Sequence, residues 1–467
     1  MKHRRLVIWL LLVVMVLFLG FKLRFDGYDK IPFPGQSLDE YSYSWVGMSL
    51  LRSGYPVGIS GLPGYEQVRY EYINPDQIYQ SGEARGLPLV LNYPWFDHPP
   101  LLGLITGGFA LTRGADVFAD VSVSTIRKPM VVMGTITLLL LMIVSFLEIG
   151  KLGSIVAGLI YAGSGLIVVS SRMVQGENGW LPFYLLSICG VILSKRSKWG
   201  WLLAWLSGFV AMGFKLTGIV SFIFIALWLI SDEDLRPGTK FKICLGTVSF
   251  LFIFIFVFGW YGWLYDWDQF LKIQLSNAGR VYGIGFGSLF NMLTSTKVTN
   301  TVRMIDPWVT TGWLAWIGLW LATHVRKYRA IKLGGLAYLM VYIFVGSYAY
   351  GWYQIPFYPF LIMALAVWFV EAIREEERVI GVLLLLNVVI GVLIDKLVVE
   401  YWSSNLTSWW RLLNLIILFF GVFLESFWGR RFRAVSRGLV LGSLLLAVYL
   451  SVSYVHGLTV DMWYRIG

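Results

Sequence analysis

Long apolar runs separated by short basic patches dominate this chain and restrict what it can fold into. A bilayer's hydrocarbon core is about 30 Å thick, and an α-helix needs about 20 apolar residues to cross it. Runs of that kind recur at about 6–22, 129–148, 152–170, 179–194, 199–214, 216–230, 241–264, 309–323, 333–350, 355–372, 379–396, 409–428 and 438–456, which predicts thirteen crossings. Composition agrees: the chain is 57% hydrophobic and 14% charged, where soluble domains carry about 25% charge. The net charge of +11 reads as the positive bias of cytoplasmic loops and not as nucleic-acid binding. Cys189 and Cys244 both fall inside apolar runs, so free packed thiols are expected, with no disulfide. "MKHRRLVIWLLLVVMVLFLGFKLRF" has a basic start and an apolar run without a small-x-small cleavage site. It is read as an uncleaved first helix with a cytoplasmic N-terminus.

The basic patches orient the rest. Lys2 to Arg5, Lys151, "KRSK" at 195–198, "RPGTKFK" at 236–242, "RKYRAIK" at 326–332, Arg374 with Arg378, and "GRRFRAVSR" at 429–437 hold more than half of the 38 Lys and Arg. Together they mark the cytoplasmic side. "PPLLGLITGGFALTRG", 99–114, is apolar enough to tempt a further crossing, but that crossing would flip every later patch outside. It is read instead as a re-entrant or interfacial helix on the outer face. Residues 23–128 then form one large external loop with juxtamembrane helices, and 265–308 a second. The chain divides into a module at 1–230 and a more variable one at 231–467, with the tail "HGLTVDMWYRIG" ending outside. The fold class is an all-α polytopic membrane protein.

Candidate chemistry gathers on the outer face of that topology. Asp39 and Glu40 are adjacent carboxylates in "QSLDEYSYSW". They are either acids decorating a helix start or a base with a supporting acid, and adjacent residues do not share a helix face. His98 precedes two prolines in "YPWFDHPPL", which makes a rigid turn either at the surface or beside a polar cleft. Arg127 opens a helix and would ordinarily anchor headgroups. Arg172 and Glu177 share the turn "SSRMVQGENGW", as an ion pair or as site residues. Lys215 sits in "AMGFKLTG" within an uncharged stretch at 199–230. A charge there is costly unless paired or facing a cavity, and an anionic phosphate suits it. Arg280 and Arg303 in the second external loop are further phosphate candidates. There is no P-loop, no dinucleotide glycine motif and no His/Cys metal spacing, which disfavours a nucleotide-powered pump.

These motifs, in this order, resemble the GT-C superfamily of membrane glycosyltransferases. The nearest branch is that of the protein O-mannosyltransferases (glycosyltransferase family 39) and the lipid A aminoarabinose transferases. The family pattern is an acid pair in the first external loop, then "HPPL", then an Arg-x-Pro element opening a helix, then an Arg followed by an acid. Here these read Asp39-Glu40, "HPPL" at 98–101, "RKPMVVMG" at 127–134, and Arg172 with Glu177. A late Pro-Tyr element is matched by "WYQIPFYPFLIMALA", 352–366. Glu177 stands where the family usually has Asp, and 55–92 matches no family element.

The resemblance implies an inverting transfer of a sugar from a polyprenyl-phosphate donor to a hydroxyl on protein, lipid or glycan, at the extracytoplasmic face of the cell membrane. By carry-over, Asp39 and Glu40 are the catalytic acids, with Asp39 the base. Arg127, Lys215, Arg280 and Arg303 would bind the donor phosphate. His98, Arg172, Glu177, Tyr43 and Tyr353 would bind substrate. A divalent cation (Mg or Mn) would suit paired acids but is not required, and no metal ligand is assigned. Partners are the lipid-linked donor, the acceptor and membrane lipids. Two other classes stay open, a lipid-linked glycan flippase or transporter and a non-catalytic membrane subunit. Transporters usually place charges midway along broken helices, whereas here the polar residues collect at one face.

Overall fold

The computed structural model describes residues 2–65, 70–73, 89–279, 293, 296–299, 301–345, 350–375, 379–398, 408–409, 411–412, 414–416 and 429–466. Its helices are α1 Lys2–Phe25, α2 Asp39–Ser53, α3 Leu101–Thr112, α4 Val123–Glu148, α5 Lys151–Gly163, α6 Gly165–Ser170, α7 Gly176–Leu193, α8 Trp199–Phe214, α9 Val220–Ser231, α10 Pro237–Tyr265, α11 Trp267–Ala278, α12 Pro307–Ala322, α13 Arg329–Val345, α14 Tyr358–Glu375, α15 Val379–Val398, α16 Gly429–His456 and α17 Val460–Ile466. Among the described residues six segments are long and apolar enough to cross a membrane: Leu6–Phe25, Val123–Glu148, Pro237–Tyr265, Gly351–Arg374, Val379–Leu397 and Arg437–His456. Shorter apolar helices accompany them, α8 and α9 among these. The protein is an all-α polytopic membrane fold, as its hydropathy predicts. The expected helix at 409–428 lies largely outside the described residues.

Burial sorts the crossings. The apolar window of Gly351–Arg374 is 94% buried, against 17% for Leu6–Phe25 and 22% for Pro237–Tyr265. The first is therefore the central post of the bundle. α1 and α10 are peripheral, and expose Met15, Phe18, Phe252 and Phe256 as a lipid-facing surface would.

Two expectations are corrected. The run 152–170 is two helices, because the backbone leaves the helical region at Ser164 (φ −62°, ψ 119°). Asp306 Oδ2 takes up the freed groups, accepting from Ser164 Oγ at 2.8 Å and from Leu166 N at 3.0 Å, while its Oδ1 caps α12 through Trp308 N at 2.9 Å. The long loop between α2 and α3 also carries a small antiparallel sheet of β1 Gly58–Ile59, β2 Tyr70–Ile73 and β3 Leu89–Asn92, in the order β1-β3-β2. Asn92 lies opposite both Gly58 and Tyr70 in its register.

α3, with 12 residues, is about 18 Å long and too short to span. It packs lengthwise against α2, with backbones nearly touching. A Cβ on Gly47 would lie 1.8 Å from the Gly103 carbonyl oxygen, and one on Gly107 would lie 2.3 Å from Met48 N. Small residues at that spacing allow such approach. Ser44 Oγ donates across the crossing to Thr106 Oγ1 at 3.1 Å. The α2–α3 pair and the sheet form the platform that carries the site.

Candidate active site

α2 begins at Asp39, so both acids of the pair lie in its first turn, where the helix dipole favours negative charge. One residue of helix rotates the side chain by about 100°, and the two part company. Asp39 is exposed to a cavity of about 840 Å3, while Glu40 is fully buried.

Glu40 points inward onto Arg127. Arg127 Nε donates to Oε1 at 2.9 Å and Nη2 to Oε2 at 2.7 Å, and Val174 N donates to Oε1 at 2.9 Å. The remaining guanidinium nitrogen, Nη1, donates to the carbonyls of Pro32 at 2.6 Å and Tyr28 at 2.9 Å. Arg172 makes the same kind of contact, donating to the carbonyls of Asp26 at 2.6 Å, Leu23 at 2.7 Å and Ile31 at 3.0 Å. Both arginines thus hold the loop 26–38 that delivers Asp39, and Arg172 also the end of α1. Neither lines the cavity. The resemblance would place them on donor and substrate; in the structure Arg127 meets Glu40 and two main-chain carbonyls, and Arg172 meets main-chain carbonyls.

Lys215 does reach the cavity. It occupies the extended break between α8 and the next helical turn (φ −163°, ψ 144°). Its Nζ lies 2.7 Å from Glu177 Oε1 and 4.3 Å from the Tyr353 ring centroid. Burial works against the ammonium, but the Glu177 carboxylate outweighs it, and Asp39 adds to the same effect, so Lys215 is held protonated above its ordinary range. Gly176 makes room for the stem: a Cβ there would sit 2.8 Å from Lys215 Cδ.

The opposite wall comes from the α2–α3 platform. His98 stacks on Tyr43 (centroids 5.6 Å, 20° between planes) and meets the edge of Trp95 at 6.0 Å. Burial, then Asp39, pushes the Tyr43 hydroxyl well above its ordinary range, so it stays a neutral donor. Asp97, which sequence reasoning passed over in favour of its neighbour His98, also lines the cavity and accepts from Ser60 Oγ at 2.7 Å. Its position directly before His-Pro-Pro was the available signal. α11 fastens this wall with amide side chains: Gln274 Nε2 donates to the Phe96 carbonyl at 2.7 Å and Asn277 Nδ2 to that of Asp97 at 2.8 Å. The second half of the chain closes the cavity with Tyr350, Trp352 and Tyr353; the rings of Tyr350 and Trp352 stack at 4.7 Å.

Of the predicted residues, Asp39, Tyr43, His98, Lys215 and Tyr353 therefore share one cavity, with Glu177 behind Lys215. Arg303 is exposed on a short bridge opposite Lys297 and does not line it. Arg280 lies outside the described residues. Among the described residues no three His, Cys, Asp or Glu side chains converge as a metal site, and the Glu40 carboxylate is paired with Arg127.

No family model and no curated protein matches the chain. Solved structures do. ArnT from Cupriavidus metallidurans in the apo state superposes with a TM-score of 0.54 at 16% identity, covering 97% of this chain and 75% of that one. The same protein bound to undecaprenyl phosphate gives 0.53 at 14%, covering 98% and 78%. The arabinosyltransferase EmbB from Mycobacterium smegmatis gives 0.51 at 12%, covering 96% of this chain and 40% of that one. A bundle of this size, matched over nearly its whole length by two such enzymes, identifies the architecture: this chain has the GT-C fold of the membrane glycosyltransferases.

Proposed function

We propose that the protein is an inverting glycosyltransferase that moves a sugar from a polyprenyl-phosphate donor to an acceptor hydroxyl at the extracytoplasmic face. The observation that carries this reading is the pairing of Asp39 and Lys215 on one cavity of about 840 Å3, a carboxylate and a protonated amine on a GT-C scaffold. ArnT, alike in fold, binds undecaprenyl phosphate.

In the proposed reaction the acceptor oxygen attacks the anomeric carbon from the face opposite the phosphate. The new C–O bond forms as the bond from that carbon to the phosphate oxygen breaks. The electron pair leaves with polyprenyl phosphate, and the acceptor proton passes to Asp39. A carboxylate is an adequate base for this late proton transfer. Lys215, held charged by Glu177, stabilises the negative charge that develops on the departing phosphate. Tyr43 and His98 contact the sugar or acceptor from the outer wall, and Tyr353 fixes Lys215 from the other side. Glu40, Arg127 and Arg172 serve by holding the loop that presents Asp39.

The test is transfer by the purified full chain from polyprenyl-phosphate-linked pentoses and hexoses, followed by mass analysis of the products. Asp39→Asn should fold and bind donor yet lose transfer by about 10²- to 10⁴-fold. Near-full activity in that variant would end the base assignment. Movement of lipid-linked sugar across proteoliposomes with no covalent product would replace the enzyme reading with a transporter.

A further inference from the structure

After α16 the chain turns at Gly457 and folds back as α17. Thr459 starts that helix, its Oγ1 accepting from Met462 N at 3.2 Å and its carbonyl from Trp463 N at 3.0 Å. Trp463 is 1% exposed. Its indole Nε1 donates to Gln36 Oε1 at 2.9 Å, across 427 positions of sequence. The same oxygen accepts from Phe33 N at 3.1 Å, so one amide group joins α17 to the backbone of the Asp39 loop. Gln36 and Ser37 form part of the cavity wall directly ahead of Asp39. Arg172 and Arg127 bolt this loop as far as Pro32. Beyond Pro32, Gln175 Nε2 holds Ser37 Oγ at 2.7 Å, and Trp463 holds Gln36.

We propose that Trp463 is a positioning residue for Asp39, and that α17 is a strap which sets the last turn of the loop before α2. This rests on the assignment of Asp39 as the base. A net hydrogen bond is modest, on the order of fivefold in an equilibrium, but misplacing a reacting group by about 1 Å costs up to about 100-fold in rate. The indole N–H donation to Gln36 is therefore expected to show in turnover more than in binding.

The experiment uses the full chain in detergent, with Trp463→Phe, Gln36→Met and the double variant, each checked for a monodisperse fold, and Asp39→Asn as the inactive control. Hydrogen–deuterium exchange of peptides covering 31–40 is read beside kcat and donor KM. Exchange there should quicken in both single variants. kcat should fall about 5- to 100-fold with KM within about twofold, and the double variant should be no worse than the weaker single one. Unchanged exchange in 31–40 overturns the proposal whatever the activity. So does wild-type kcat in Trp463→Phe, or a loss confined to KM, or a lowered melting temperature with full turnover, which is what packing alone would give. If the wild-type chain transfers no sugar, the reading of Asp39 as a base fails, while the exchange measurement still decides whether Trp463 holds the loop.

Discussion

Glu40 and Arg127 form a bidentate pair, 2.9 and 2.7 Å across its two arms, with both side chains essentially out of contact with solvent. Adjacent acids thereby have opposite surroundings, one in the cavity and one in the protein. Removing one partner of a buried pair strands a charge and costs about 3–5 kcal/mol, whereas replacing both with apolar groups costs much less. Glu40→Met should therefore lower the melting temperature sharply, and Glu40→Met with Arg127→Met should recover part of the loss. Recovery stays incomplete because Arg127 also serves the carbonyls of Tyr28 and Pro32. Thermal unfolding of the detergent-solubilised chain checks the ordering.

Glu177 sets the alkaline limit of the site. Burial pulls the Lys215 ammonium down and Glu177 lifts it above its ordinary range. Glu177→Gln removes the larger part of that lift and leaves the burial, so Lys215 loses its proton at lower pH than in the parent. Activity that needs the charged amine then fades as pH rises, earlier in the variant than in the wild type. A pH–kcat profile of the two proteins reads this directly, and coincident alkaline limbs would exclude Lys215 as the phosphate partner.

The α2–α3 crossing tolerates no Cβ at its centre. At Gly47 the nearest atoms are backbone, with the Gly103 carbonyl carbon 1.9 Å from where an alanine methyl would sit, so no side chain can swing aside. Gly47→Ala should cost about 1–3 kcal/mol or more and shift the platform that bears Asp39 and His98. Gly61→Ala, with nothing within 4 Å of its Cβ position, is the matched control for stability. Melting temperatures of the two variants separate a tight crossing from a general intolerance of alanine.

Val117, between α3 and α4, is exposed, and the topology read from the basic patches sets it outside. A cysteine introduced there should react with a membrane-impermeant maleimide on intact cells, and one introduced at Ser197 only after lysis. The reverse pattern would turn the whole assignment over.

The bundle was legible because apolar run length reports directly on bilayer thickness. The break at Ser164 was not, since "GLIYAGSGLIVVS" carries no charge and no proline, and its stop depends on Asp306 from a distant loop. In the site, Lys215 stood out because an isolated charge in a 32-residue uncharged stretch demands a partner. The surroundings of Arg127 and Arg172 were less legible: Arg127 pairs with Glu40, and its other partners, like those of Arg172, are carbonyl oxygens, which every residue possesses and no sequence pattern marks. The same holds for the amides of α11. Which of Asp39 and Glu40 faces the cavity depended on where α2 begins, to within one residue.

The clamps on loop 26–38 grip peptide groups. Arg172 holds Leu23, Asp26 and Ile31, and Arg127 holds Tyr28 and Pro32, all by their main-chain oxygens. The course of the loop is consequently decoupled from the identity of most of its side chains. Solvent-accessible positions such as Asp29 and Lys30 can drift, or be exchanged by an engineer retuning what approaches the cavity, while the carboxylate of Asp39 keeps its address.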